Sequence, residues 1–451
     1  VYYCGLVHER TEGETLAQLT CDPVRLPPGV GLPRIVQGAA MLVARPRALE
    51  YARQRHGAAF SASLPLFGDT VVLSDPDLIK ELFTAGDLVQ TITNLGDVIG
   101  PGSTFSLNGA PHLARRKLLM PPLHGKRMPI YQQIIEEEVA RELSTWPTAT
   151  PFATLPSMMR ITLNAILRAV FGAEGPELAA LRELLPPAVL LASRLTVLPP
   201  GLRRDVGRWS PWGRLERMRR QCDDLIGSLI RDARAAPDLH ERTDVLSMLV
   251  AARDEDGRPI PDDHIIDELQ TLLAAGHETT ATTLAWAVER LRRHPEVLSQ
   301  LFEEVDTGGS DLLQATVWEV QRSRPVIPGV LRVTTGRTRL GDWVLPAGHT
   351  VIASIALSHS SPANYADPAR FDPTRFLHTK PDTSAWIPYG GGLRRCVGAA
   401  FANTEMLITL RELLRTYTLE PTSEADERSR SRGIANAPAA GAVAVVHRRS
   451  R

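Results

Sequence analysis

The stretch Trp386-Ile-Pro-Tyr-Gly-Gly-Gly-Leu-Arg-Arg-Cys-Val-Gly398 decides how the chain reads. It sets one cysteine, Cys396, after a glycine-rich turn and ahead of a long helical pattern that begins near residue 399. A thiolate in that position meets the positive end of the helix dipole and the free N–H groups of its first turn. Both effects favour the anion that binds metal. The glycines let the backbone lie close against something flat, and Arg394 supplies a cation for that object's acidic groups. A haem with its iron on Cys396 satisfies all of these demands together.

Other readings of the same residues stand beside it. A cysteine in a loop is commonly a small buried hydrophobe, and three glycines commonly make a plain loop. A phosphate cradle is not indicated, because no Gly-Lys-Ser/Thr follows and no G-x-G-x-x-G opens a helix here. The full spacing, aromatic–x–x–Gly–x–Arg–x–Cys–x–Gly from Tyr389 to Gly398, is far more specific. It resembles the haem-binding signature of the cytochrome P450 family, with Tyr389 where phenylalanine is usual. The resemblance implies the cytochrome P450 fold, haem b (iron protoporphyrin IX) as cofactor and Cys396 as the iron ligand.

Composition fits one large domain. No Ser/Gly linker, like-charge block or internal repeat divides the 451 residues, and 43% hydrophobic content supports a sizeable core. Basic and acidic residues balance at 51 each, which argues against bulk capture of nucleic acid or anionic membrane. The four cysteines lie far apart, with no CxxC or zinc spacing, so a reducing cytoplasm is the natural setting. No run reaches ~18 uninterrupted apolar residues, so no integral membrane segment is expected and the protein reads as soluble. Residues 1–25 read as a poorly ordered N-terminal extension and 26–448 as the domain.

Coarsely the chain is mainly α with a minor β region. Phe60–Leu64 and Val71–Leu73 flank Gly68-Asp69 and predict a hairpin, after which Ser74-Asp75-Pro76 opens a helix. A second β region is expected over Leu331–Ile355. Helical patterns occupy about 128–146, 155–172, 211–235, 261–294 and 399–417. The fourth is the longest: at ~1.5 Å per residue it spans ~50 Å. Its middle, Leu269–Ala287, carries no acidic or basic residue except Glu278, apart from a histidine, as a helix buried all round requires.

Inside that helix lies Ala275-Gly-His-Glu-Thr-Thr280. A buried carboxylate beside a hydroxyl is costly unless it is used or paired. Gly276 removes a side chain where a flat ligand or O2 could approach. A Gly-Thr helix bend with a satisfied glutamate is the plainer alternative. The pattern resembles the family's oxygen-activation motif, which implies that Thr279 steadies the activated oxygen and Glu278 belongs to the proton relay.

Three further elements match the family in order. Glu319-Val-Gln-Arg322 puts a carboxylate and a guanidinium on one helix face, elsewhere a common solvated pair. The resemblance completes it with Arg375 of Phe371-Asp-Pro-Thr-Arg-Phe376 as a structural triad. His112 and Arg116, at i and i+4, match the residues that bind a haem propionate, against the alternative of a surface pair. Arg332 and Arg394 match further propionate ligands.

The implied activity is a haem-thiolate monooxygenase that uses O2 and two electrons from a ferredoxin-type donor with its reductase. Arg394, Arg395, Arg115 and Lys117 are candidate docking cations for that donor. The stretches about 88–107, 184–202, 272–280, 326–330 and 435–440 are largely apolar, so a lipophilic small-molecule substrate is expected. Leu184–Leu202 reads as a pocket lid or a membrane-skimming segment. The rivals are a peroxide-using or rearranging enzyme of the same fold, and a haem-binding sensor or carrier.

Overall fold

The structure is a computed structural model that describes residues 17–449 apart from positions 66, 92–95, 124, 173–174, 197–203, 208 and 254–256. The chain groups into two compact units. One takes Val1–Ile92, Pro328–Ala369 and Asp382–Cys396; the other takes Thr93–Ile327, Arg370–Pro381 and Val397–Arg451.

A five-stranded sheet organises the first unit. Ala59–Leu64 and Gly68–Leu73 form the predicted hairpin, antiparallel with Phe60 opposite Val72. Gly68–Leu73 then pairs in parallel with Thr350–Ala353, which pairs antiparallel with Val330–Thr334, and Val89–Gln90 closes the edge. Alternation sends Phe60, Ala62 and Val72 inward, onto Ala52 and Leu357. The Asp75 carboxylate caps the helix Pro76–Thr84 by accepting from the N–H groups of Asp77 and Leu78, each at 3.0 Å. The first residues correct one expectation. Gln18–Leu19 is a strand paired with Thr338–Arg339, and Arg25 bridges Val344, so backbone pairing starts well before residue 26. Positions 1–16 of the proposed extension lie outside the described residues.

The second unit is helical and is built round Asp262–Arg293. Asp262 and Asp263 sit in its first turn and Arg290, Arg292 and Arg293 in its last, each complementing the helix dipole. Leu155–Phe171, Pro211–Ala235, Asp311–Ser323 and Ala399–Thr416 pack against it. Leu269, Leu273, Leu284, Val288 and Leu291 are fully buried in the shared core, each contributing about 1.5–3 kcal/mol. Met128–Leu143 completes the helices expected from periodicity. Pro176–Thr196 is also a helix, running through Pro186 and Pro187, and takes in the first part of the expected lid; positions 197–202 of that stretch lie outside the described residues. Among the described residues no helix is long and apolar enough to cross a membrane.

Candidate functional site

In the first unit the cysteine loop is closed on itself by its own backbone. Cys396 N–H donates to the Tyr389 carbonyl at 2.9 Å, Gly390 N–H to Ile387 at 3.0 Å and Arg395 N–H to Gly392 at 3.1 Å. Ile387 N–H is held by His359 Nε2 at 2.9 Å. The glycines do something the sequence did not suggest. A Cβ on Gly391 would strike the Phe83 ring, and one on Gly392 would strike the Phe83 carbonyl oxygen. Their smallness is spent on the end of the Pro76–Thr84 helix. Cys396 is exposed, whereas Cys222 is buried and its thiol is pushed up to about 12, chiefly by burial.

Arg332 stands on Val330–Thr334, only 6% exposed, and its guanidinium donates to the Leu331 carbonyl at 2.8 Å. Burial first, and then the charge of Arg394, lower its pKa to about 10. Buried Arg332 thus feels the charge of half-buried Arg394, and an anion beside them would be favoured by both. An exposed thiol two residues from one of them is a donor set that fits a haem with its propionates.

The long helix belongs to the second unit. Between Asp267 and Leu291 every residue is buried except Ala274, Ala275, Gly276 and Thr279. These four form one interruption on an otherwise enclosed helix. Thr279 Oγ1 donates to the Ala275 carbonyl at 2.8 Å, and Thr283 Oγ1 to the Thr279 carbonyl at 3.0 Å. A Cβ on Gly276 would point at Ile166 Cγ1, 3.1 Å away, so that glycine also serves close packing with Leu155–Phe171. His277 is neutral by burial, and its Nδ1–H donates to Leu273 at 2.8 Å. Glu278 is buried and paired: Arg432 Nε donates to its Oε1 at 2.8 Å.

The helix Gly109–Leu119 carries His112, buried, and Arg116, half-buried, one turn apart on one face. Arg115 between them corrects the docking assignment. It is buried, ion-paired to Glu268 Oε2 at 3.3 Å, and donates to the Gly102 carbonyl at 3.0 Å. Thr104 adds its N–H and hydroxyl to the same Glu268 oxygen at 2.9 and 2.8 Å. Burial raises the Glu268 pKa, and Arg115 opposes that. Arg115 therefore ties the 100–106 loop to the long helix and is not a surface cation. Lys117 and Arg395 are exposed, the latter 5.9 Å over the Tyr389 ring.

Glu319, Arg322 and Arg375 come together within the second unit. Arg322 grips Glu319 through Nε and an Nη, both at 2.7 Å, and Arg375 Nε lies 3.3 Å from Glu319 Oε2. Asp372 N–H donates to Glu319 Oε1 at 2.9 Å, and both arginines donate to the Arg370 carbonyl. Four interactions converge on one fully buried carboxylate, which fixes the Arg370–Pro381 segment to its helix. Sequence reasoning missed Arg432, whose partner is 154 residues away. It also missed Glu405 of Ala399–Thr416, a fully buried carboxyl held well above the usual carboxylate range by burial.

The comparisons with known proteins agree with one another. The family model described as Cytochrome P450 matches residues 28–443. Cytochrome P450 138 of Mycobacterium tuberculosis is 52% identical over 429 residues, covering 94% of this chain and 97% of that protein. Cytochrome P450 135B1 of the same species is 39% identical over 430 residues, 92% of this chain and 90% of that protein. Retinoic acid-bound cyanobacterial CYP120A1 superposes with a TM-score of 0.82 at 23% identity, over 94% of this chain and all of that one.

Proposed function

The chain belongs to the cytochrome P450 family and is a haem-thiolate monooxygenase, and from that premise we propose how its own residues divide the work. The cofactor is haem b, with Cys396 as the iron ligand and His112, Arg116, Arg332 and Arg394 as partners of its propionates. When bound, the haem supplies oxygen activation, assisted by electron donation from the thiolate. Arg332 carries its charge into a buried region beside half-buried Arg394, and two carboxylates would relieve their mutual repulsion.

Thr279 offers a hydroxyl at the open interruption of the long helix, and Gly276 keeps that interruption low. Its proton rests on the Ala275 carbonyl and turns outward when a better acceptor arrives. Glu278, the next residue back, takes protons from solvent and passes them to the Thr279 side. Glu319, Arg322 and Arg375 act on structure alone. The substrate is a lipophilic small molecule: Leu272, Ala275, Val326 and Ala435 are the side chains the expected walls contribute. Electrons come from a ferredoxin-type donor with its reductase, for which exposed Lys117 and Arg395 are suitable contacts. Buried Cys222 is a free thiol, which suits a reducing cytoplasm.

One observation carries this reading. A hydroxyl lies at the break in an otherwise buried stretch of helix, with a buried carboxyl on the residue before it, an arrangement that a haem sensor or carrier has no use for. The test begins with carbon monoxide added to the reduced protein, which should give the strongly red-shifted Soret band of a thiolate ligand. Cys396→Ala should abolish it, and retention of the band would overturn the ligand assignment. A spin-state titration against fatty acids, terpenoids, steroids and aromatics then identifies the substrate class.

A further inference from the structure

Glu278 is met by a side chain that arrives from 154 residues away. The carboxylate is 8% exposed and the Arg432 guanidinium 30%. Arg432 does not sit on a loose tail. It follows the strand Ser429–Ser431, which pairs antiparallel with Asn436–Pro438, and its N–H donates to the Ala435 carbonyl at 2.8 Å to close the turn. Ser431 Oγ donates to the Gly433 carbonyl at 3.1 Å.

That turn is anchored to three places. Gly433 has φ +118°, a conformation side chains rarely adopt, and a Cβ there would strike the backbone of Ser193. Ile434 N–H donates to Ser193 Oγ at 2.9 Å, on the Pro176–Thr196 helix. Asn436 N–H donates to the Val326 carbonyl at 2.8 Å, and Trp286 Nε1 of the long helix donates to the Asn436 carbonyl at 3.1 Å. The guanidinium is thus delivered to Glu278 at a fixed position, by a turn that also rides on a second helix.

We propose that Arg432 is a positioning residue for proton delivery: it holds the Glu278 side chain in one orientation, and the seat of its turn on Ser193 ties release of that side chain to the Pro176–Thr196 helix. The proposal rests on Glu278 being the relay acid. While the guanidinium occupies its Oε1 that oxygen cannot meet water, so the side chain must swing free before it can take one proton from water and give one up inside. The partial exposure of Arg432 makes that possible, because water solvates the guanidinium while the pair is open. A partner as buried as Arg322 would have no such alternative. Among the described residues His277, on the same helix, is a titratable group that feels both charges of the pair. On Leu155–Phe171, uncharged Thr162 donates to the His277 carbonyl and uncharged Ile166 faces Gly276.

The experiment compares Arg432→Gln, Arg432→Lys, Glu278→Gln and the Arg432→Gln/Glu278→Gln double variant as holoproteins. It reads coupled turnover, its solvent isotope effect, and thermal unfolding in the ferric state. Loss of the cation should lower coupled turnover on the order of tenfold and enlarge its solvent isotope effect, because the acid is no longer held in place. Arg432→Lys should restore wild-type turnover and isotope effect. In the Glu278→Gln background Arg432→Gln should move neither. If Glu278→Gln leaves turnover and its isotope effect at wild-type values, the relay reading itself is wrong. If Glu278→Gln is defective but Arg432→Gln keeps wild-type turnover and isotope effect, or acts equally without Glu278, the positioning role alone is overturned.

Discussion

Gly392 lies so close to Phe83 that a Cβ on the glycine would overlap the phenylalanine carbonyl oxygen, and its φ of +63° is one that side chains resist. The cysteine loop is therefore shaped from outside, by the last turn of the Pro76–Thr84 helix. Gly392→Ala meets both obstacles at once, left-handed backbone and a rigid backbone neighbour. The expected cost is roughly 2–4 kcal/mol. Denaturant unfolding measures it, and haem content of the purified variant should fall in parallel. An alanine variant with unchanged midpoint would mean that the loop has room the geometry denies it.

Glu319 is buried with Arg322 gripping both its oxygens, so removing it strands a charge. Glu319→Ala should cost about 3–5 kcal/mol. Arg322→Lys keeps the charge but loses the fork and the bond to Arg370, and should cost about 1.5–3 kcal/mol. In both, whatever protein folds should keep the thiolate carbon monoxide band, because the triad supports structure and performs no chemistry. A shifted band with normal stability would contradict that division.

Much of this was legible in the sequence because local rules govern it. The long helix runs Asp262–Arg293 against an expectation of 261–294, since acids open it, arginines close it and proline follows. The hairpin at Phe60 and the Asp75 cap were readable for the same reason. The Pro176–Thr196 helix was not among the helices expected from periodicity, and it accommodates Pro186 and Pro187 in its interior. Arg115 looked like a surface cation because periodicity carries no word of Glu268, 153 residues away. Arg432 was invisible for that reason too. The site residues announce themselves by spacing, while the partners that tune them are set by the fold.

Glu405 gives a prediction about pH. Burial lifts its folded-state pKa well above 4.5, so below that value the carboxyl is neutral in both states and costs nothing extra. As pH rises past 4.5 the unfolded chain releases its proton while the folded protein keeps it, and stability falls. Glu405→Gln removes this loss. The variant's advantage over wild type should grow from acid to neutral pH in guanidinium unfolding followed at several pH values. A constant difference across the range would show that Glu405 is ionised in the fold.

Arg115 being buried changes which charges can meet an electron donor. Lys117→Glu with Arg395→Glu should slow first-electron transfer on the order of tenfold at low salt and flatten its salt dependence. Arg115→Glu should instead destabilise the protein, by setting a second carboxylate against buried Glu268. Stopped-flow reduction with a ferredoxin at several ionic strengths separates the two. Unaltered rates in the double variant would put the docking face elsewhere.

Thr279 separates the proposed chemistry from its rivals. Its hydroxyl bonds back to Ala275, so Thr279→Ala loses no tertiary contact of that hydroxyl, and alanine is the better helix former. The variant should be as stable as wild type, which removes unfolding as an explanation for any defect. Coupled hydroxylation should nevertheless fall on the order of 10²-fold, with electrons appearing as hydrogen peroxide, because a positioned proton donor has gone. Thr279→Ser should recover most of the coupling, since only the hydroxyl matters. The measurement is product and peroxide formed per electron consumed. Undiminished product in Thr279→Ala would instead favour an enzyme that runs on peroxide or rearranges its substrate, for which the hydroxyl beside Glu278 has no task.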